Sequence, residues 1–305
     1  MEDKLKKELQ TNTLEVVDDI SGGCISSSKS YLTDSGRVFI KFNKKEHAAR
    51  MFNGEMEGLL AIVNTQTIRV PKPIKVIQFE NVNALVMEYL EIVNLSRYQA
   101  SLGEQLARMH LRNLQMIENE DRLGTPIDQE KAIRKFGFHT TTCCGYIPLD
   151  NTWCNSWIEF FTQRRLKYQV NLIDRTYQDP ELRHLWPCLE NKINQFFKEI
   201  EIKPSLLHGD LWNGNVAETP DMPVILDPAC FYGHSEFDLS IAKLFGGFKS
   251  AFYTSYHKLI PKKPGFDKRQ ELYALFHYLN HWNHFGSSYR SSSIETIKKL
   301  LRWMK

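Results

Sequence analysis

From the N-terminus, the apolar positions first recur with the two-residue period of strands. Residues 16–20 (VVDDI) and the stretch from Ser30 to Phe42, broken by a turn at Asp34-Ser35-Gly36, predict strands and a hairpin. Between them, Ser21-Gly22-Gly23-Cys24-Ile25-Ser26 is a small-residue segment with little to offer a core. From Glu46 to Val63 the period changes, and Ala48, Phe52, Met56, Leu59, Leu60 and Val63 fall on one helical face. Pro71 and Pro73 then lead into Ile74–Phe79. After a turn at Asn81–Asn83 comes Ala84–Leu90, largely apolar until Glu88, as a central strand should be.

Beyond Leu90 the alternation fades and helices take over. Ser101 to His110 carries Leu102, Leu106 and Met109 on one face, with Ser101 and Glu104 spaced as a capping box. Arg112 to Lys135 is polar, a helix with a surface turn at Gly124-Thr125-Pro126. Residues 153–173 read as one helix through Trp157, Phe160, Phe161, Leu166 and Val170. Asp179-Pro180 opens another that runs, interrupted near Pro187, to about Ile200. A last long helix, near Arg269 to Phe285, turns Leu272, Leu275, Phe276, Leu279 and Trp282 inward. The expected architecture is α+β and bilobal. A small β-rich lobe with one main helix (1–90) is followed by a larger, mostly helical lobe (91–305), joined near 88–94.

Composition narrows the function. The 305 residues are 42% apolar and 25% charged, ordinary usage for a folded protein. A net charge of +3, from scattered Lys and Arg, makes no case for nucleic acid or an anionic membrane. No run approaches the roughly 18 apolar residues of a membrane span, and the opening MEDKLKK is no signal peptide. Six irregularly spaced cysteines suggest a reducing compartment, with the cytoplasm as the expected location. Cys143-Cys144 lacks the second pair that structural zinc would need.

The chemistry concentrates in Leu206–Ala229. Two apolar stretches, Leu206-Leu207 and Val224–Leu226, bracket a polar loop holding Asp210 and Asn215, and Asp227 follows the second stretch. Carboxylate, amide and carboxylate shown from adjacent strand ends form a site for a divalent metal and phosphate. Asn215 and Asp227 suit Mg²⁺, which leaves Asp210 to orient a hydroxyl and take its proton. The N-terminal region supplies a second clue. Lys41 alternates away from the face carrying Ile40 and Phe42, while Glu55 lies near the apolar face of its helix. A carboxylate there is costly unless paired, and Lys41 is the natural partner, able to hold the α- and β-phosphates of a nucleotide. Glu57 turns off that face toward solvent.

The motifs HGDLWNGN (208–215), LDPACFYGHSEFDLS (226–240), KFGFHTTTCCGYIP (135–148) and LNHWNHFG (279–286) together resemble the fructosamine/ketosamine-3-kinase family, across essentially the whole chain. That family belongs to the aminoglycoside-phosphotransferase-like kinases. The resemblance implies ATP and Mg²⁺, Asp210 as catalytic base, Asn215 and Asp227 as metal ligands, His208 as a buried orienter of the loop, and Asp238 as its support. Met87-Glu88-Tyr89-Leu90 resembles a kinase hinge for adenine, with Met87 at the back of the pocket and the Glu88 carbonyl and Leu90 N–H facing the base. Gly22 and Gly23 suit the phosphates, and Cys24 is a candidate redox-sensitive thiol. The family phosphorylates the 3-hydroxyl of ketosamines on protein lysines or free amines. Its product decomposes to release the amine, so the implied role is protein deglycation.

Asp227 is followed by Pro228, and the stretch to Asp238 is too short for a protein-kinase regulatory loop, so a small hydroxylated acceptor is favoured. Trp212, His234, Glu236, Trp282 and His284 are the candidate acceptor contacts. MFNGEM and VPKPIKV resemble the branch that prefers ribulosamine and psicosamine. The alternatives are a fructosamine kinase, a kinase of another small alcohol, or a non-catalytic ATP-binding redox sensor acting through Cys24. The chain is expected to work as a monomer or as a disulfide-linked dimer.

Overall fold

A computed structural model describes residues 1–20, 27–123 and 131–304. Gly22, Gly23, Cys24 and the turn at 124–126 therefore lie outside the described residues. Helix α1 (Glu2–Leu9) precedes strands β1 (Glu15–Ile20), β2 (Ser27–Thr33) and β3 (Gly36–Asn43), then α2 (Ala48–Thr65), β4 (Pro73–Gln78) and β5 (Asn83–Glu88). The five strands form one antiparallel sheet in the order β1-β2-β3-β5-β4. The apolar run ending at Glu88 is central, paired on both sides.

Strand alternation gives this sheet two different faces. Ile40, Phe42, Ala84 and Val86 point outward into a small core closed by Leu5 of α1, Leu14, Tyr31 and Ile77. Leu85 and Met87 point the other way, into a large core that begins at Phe52, Leu59 and Ile62 of α2 and continues through the helical region. Lys41, between Ile40 and Phe42, consequently faces α2. The sequence shows little sign of α1, because its only fully buried residue is Leu5.

The short strand β6 (Val93–Asn94) leads into α3 (Gln99–Leu123). Ser101 lies inside the first turn of α3. Its hydroxyl accepts a hydrogen bond from Gln105 Nε2 at 3.1 Å, and Glu104 pairs with Arg108, so the expected capping box is not formed. A hairpin of β7 (Cys143–Cys144) and β8 (Ile147–Pro148) follows. The helix expected from residue 153 starts later, at α4 (Trp157–Glu159), where the Ser156 hydroxyl accepts from the Glu159 N–H. It continues through an eight-residue π-helical stretch (Phe160–Lys167) into α5 (Tyr168–Tyr177). Asp179 caps α6 (Pro180–Glu190), which keeps Pro187 inside it, and a 3₁₀ turn (Ile193–Phe197) follows.

Strands β9 (Ser205–Leu207), β10 (Val216–Glu218), β11 (Pro223–Ile225) and β12 (Phe231–Gly233) carry the polar loop. The two apolar stretches that bracket it are strands, but not partners. β9 pairs with β12, while β11 pairs with β10, which also pairs with β6. Helices α7 (Glu236–Phe245), α8 (Ser250–Leu259), α9 (Phe266–Phe285) and α10 (Arg290–Arg302) complete the larger region. The result is a bilobal α+β fold of the protein-kinase-like type. Among the described residues no helix is long and apolar enough to cross a membrane.

Candidate active site

The polar loop leaves β9 at Leu207 and is anchored from below. Asp238, fully buried in the first turns of α7, accepts the His208 N–H at 2.7 Å and the Gly209 N–H at 2.8 Å. Burial works against its charge. The hydrogen bonds from the His110 imidazole at 3.1 Å and from the Gly209 N–H outweigh it, and its pKa falls below the ordinary carboxylate value. His110, in turn, meets the Tyr256 hydroxyl through Nδ1 at 2.9 Å. Gly209 has φ +83°, and a Cβ there would lie 2.2 Å from the Ala229 carbonyl oxygen. Only glycine fits.

His208 joins the segment carrying Asp210 to the segment carrying Asp227. Its Nε2 donates to the Leu226 carbonyl at 2.8 Å, and its Nδ1 accepts the Asp210 N–H at 3.2 Å. Burial pushes its pKa down, so the ring is neutral and serves as a brace. Backbone bonds from Leu226 N–H to the Asn215 carbonyl (2.9 Å) and from Ala229 N–H to the His208 carbonyl (2.8 Å) tie the segments together. Asn215 Nδ2 donates to the Asp210 carbonyl at 2.9 Å and to its Oδ2 at 3.3 Å. Burial and the negative charge of Asp227 push the Asp210 pKa up to about 7, against the Asn215 hydrogen bond. The buried Cys144 thiol lies against the same carboxylate and accepts from Asn280 Nδ2 at 3.2 Å.

Asp227 has φ +53°, rare for a residue with a Cβ and costing on the order of 1–2 kcal/mol. Strain of this kind clusters at functional sites. Its Oδ1 lies 2.6 Å from Lys41 Nζ, and Glu55 Oε1 lies 2.5 Å from the same nitrogen. Burial would lower the Lys41 pKa, but the two carboxylates overcome this and hold the amine charged. The Lys41 and Glu55 side chains are 10% and 12% exposed and Asp227 is 53% exposed, so Asp227 is the open end of the triad. Glu57 points away, to His139 at 2.9 Å.

The donor set suits a hard cation. Asn215 Nδ2 is committed to Asp210, leaving its Oδ1 as a ligand atom, and the Asp227 carboxylate already attracts a cation in Lys41. Among the described residues no three His, Cys, Asp or Glu side chains converge. Mg²⁺ held through two side chains, nucleotide phosphates and water needs no such cluster.

At the lobe junction, Met87 is buried on the cleft-facing side of β5. The Glu88 carboxylate pairs with Arg69, and the Arg37 guanidinium stacks 3.7 Å from the Tyr89 ring centroid. Leu90 follows in the connection to the helical region and is half-buried.

Three of the candidate acceptor contacts are buried, with partners inside the helical region. Trp282 is 1% exposed and packs in the large core against Tyr177. His234 is buried with Nδ1 2.6 Å from the Tyr273 hydroxyl, and burial drops its pKa to about 3. Glu236 is buried and doubly bonded to Arg269 at 2.7 and 2.8 Å, an architectural ion pair. Trp212 is exposed beside Asp210. His284 is half-buried, accepting the Tyr146 N–H through Nε2 at 3.2 Å. Reasoning from sequence missed His110, Cys144 and Asn280, which reach the site only through long-range packing. The TTCCG and LNHWNHFG motifs carried Cys144 and Asn280.

Residues 1–303 match the fructosamine kinase family. The chain is 48% identical to ketosamine-3-kinase of Mus musculus over 98% of this chain and 99% of the mouse protein. It is 40% identical to the chloroplastic protein-ribulosamine 3-kinase of Arabidopsis thaliana, over 95% and 83% of the two chains. The fold resembles that of a fructosamine-3-kinase-type protein from Haemophilus somnus (TM-score 0.80, 22% identity, 97% and 95% coverage). It also resembles an aminoglycoside phosphotransferase solved with ADP and hygromycin B (TM-score 0.59, 13% identity, 99% and 98% coverage). With a bilobal kinase-like fold, a braced aspartate and a family match along almost its entire length, the chain belongs to the fructosamine/ketosamine-3-kinase family and is a kinase.

Proposed function

We propose that this protein transfers the γ-phosphoryl group of ATP to the 3-hydroxyl of ketosamines on protein lysines or free amines, preferring ribulosamine and psicosamine, and so initiates deglycation in the cytoplasm. The observation that carries the reading is the convergence of Lys41, Glu55 and Asp227, with Asp210, held by Asn215, close enough to feel the Asp227 charge. The similar mouse protein is a ketosamine-3-kinase and the similar Arabidopsis protein a protein-ribulosamine 3-kinase, which favours a ketosamine acceptor and, within that class, ribulosamine.

Residues 1–90 act as the ATP-binding lobe and 91–305 as the catalytic and acceptor lobe. Adenine lies against Met87, Glu88, Tyr89 and Leu90, and Gly22 and Gly23 approach the phosphates. Lys41, held by Glu55, holds the donor phosphates from the side where Asp227 leaves it open. Asn215 and Asp227 hold Mg²⁺, which supplies charge neutralisation on the phosphates. Asp210 accepts the proton of the sugar hydroxyl as its oxygen bonds to the γ-phosphorus; the bond to the β–γ bridging oxygen breaks and ADP leaves. A carboxyl pKa near 7 suits a base that must both take and release a proton at neutral pH. Most of the rate comes from positioning and preorganised charge. Trp212 and His284 flank the acceptor.

The test is incubation with MgATP and either ribulosyl-lysine or fructosyl-lysine, following sugar phosphate by phosphorus NMR, with Asp210→Asn as control. Transfer to ribulosyl-lysine alone, lost in the control, supports the full reading. Comparable transfer to both removes the preference. Transfer to neither, with ATP still bound, sinks the ketosamine assignment in favour of another alcohol.

A further inference from the structure

The exposed aromatic residues near the site are not scattered. Trp212, two residues after Asp210, meets the Phe245 ring at 6.1 Å between centroids. Phe245 meets His281 at 5.0 Å, and His281 meets Phe285 at 5.5 Å. Trp212, Phe245 and Phe285 are 40%, 38% and 56% exposed, unusual for such large apolar side chains and more so in a row. The arc is seated firmly. A Cβ at Gly214 would fall within 2.3–2.8 Å of three Trp212 ring atoms, so the indole lies directly over that glycine. The turn after α7 packs Gly247 against the Asn213 side chain, which locks the arc to the catalytic loop.

The electrostatics of the arc favour a cation. Phe245 is the last residue of α7 and Phe285 the last of α9, so two helix C-termini, the negative ends of their dipoles, come together there. His281 sends Nδ1–H to the His277 carbonyl at 2.7 Å, and burial keeps its ring neutral, so it brings no charge to repel one. Aromatic faces attract ammonium groups, tryptophan most strongly.

We propose that the arc Trp212–Phe245–His281–Phe285 seats the alkylammonium stem that carries the sugar, so that the site recognises a ketosamine on a long aliphatic amine and not the sugar alone. This rests on the ketosamine reading above. In a ketosamine the nitrogen is a secondary amine on the carbon next to the carbonyl, close to the reacting hydroxyl, so once that hydroxyl reaches Asp210 the ammonium lies beside Trp212. The four-carbon stem of lysine then runs outward across Phe245 toward Phe285, its methylenes on the ring faces.

The experiment compares two acceptors with the same sugar, Nε-ribulosyl-Nα-acetyl-lysine and ribulosyl-methylamine, in the wild-type protein, Phe245→Ser, Phe285→Ser and Phe285→Tyr. The readout is the ratio of kcat/KM for the long-stem acceptor to that for the short one. The ratio is expected to fall about three- to tenfold in each serine variant, as exposing one to two methylenes of the stem implies, mainly through KM, and to return in Phe285→Tyr, which restores the ring. A ratio within twofold of wild type in both serine variants overturns the proposal, as does failure of Phe285→Tyr to restore it. If the wild-type protein phosphorylates neither adduct, the ketosamine reading has failed, and this inference falls with it.

Discussion

Replacing Asp238 by asparagine tests whether the catalytic loop is held in place from α7. The carboxylate accepts three hydrogen bonds in a dry environment: His208 N–H at 2.7 Å, Gly209 N–H at 2.8 Å and His110 Nε2 at 3.1 Å. Asparagine keeps the shape but turns one acceptor oxygen into a donor, so at least one loop N–H is left facing another N–H. A hydrogen bond to a buried charge is worth about 1.5–3 kcal/mol, and breaking a buried charged pair costs about 3–5 kcal/mol. A loss of about 3 kcal/mol is therefore expected, out of a total of roughly 5–15 kcal/mol. Urea unfolding should show it as a lower midpoint with an unchanged m-value. The functional effect follows from position, because Asp210 is two residues beyond His208. A misplacement near 1 Å costs about a hundredfold in rate, so kcat should fall by about that much. The KM for ATP should change little, since Lys41 and Glu55 belong to β3 and α2. An unfolding midpoint at the wild-type value together with kcat within threefold would refute the anchoring argument.

Glu55→Ala should weaken ATP binding about tenfold, because Lys41 then pairs only with Asp227 and is drawn away from the phosphates; isothermal titration with a non-hydrolysable ATP analogue measures it. Glu218 makes stability depend on acid. Burial opposes its charge, but the Ser96, Tyr98 and Arg97 N–H groups and the Arg97 guanidinium outweigh it and hold its pKa at about 2. An unfolded glutamate titrates at about 4.3. The extra stability is thus fully present above about pH 4.3 and lost as pH falls toward about 2, so Tm should fall less steeply between pH 5 and 3 in Glu218→Gln than in the wild type. Chelating divalent metal should abolish transfer, and Asn215→Ala should raise the Mg²⁺ concentration that restores half of it, read from a Mg²⁺ titration of the initial rate.

What the sequence by itself determined is what depends on neighbours along the chain. Strand alternation placed Lys41 on the face opposite Ile40 and Phe42, and helical spacing turned Glu55 inward and Glu57 outward; all three lie so. The α+β order, the central strand beginning near Ala84 and the loop from His208 to Asp227 were legible for the same reason. Tertiary structure decided whatever requires partners far apart in sequence. Arg269 is 33 residues from the Glu236 carboxylate it neutralises, and Tyr256 is 146 residues from His110. Polar residues in and just before α7 read as solvent-facing or site-directed until such partners appear. That is why Glu236 and His234 looked like acceptor contacts and why α7 itself escaped detection. The same holds for Asp210: its place in the motif is local, but its raised pKa comes from burial and from Asp227, which the fold brings to it. Periodicity reports which way a side chain faces, and only packing sets what it meets there and how much water remains.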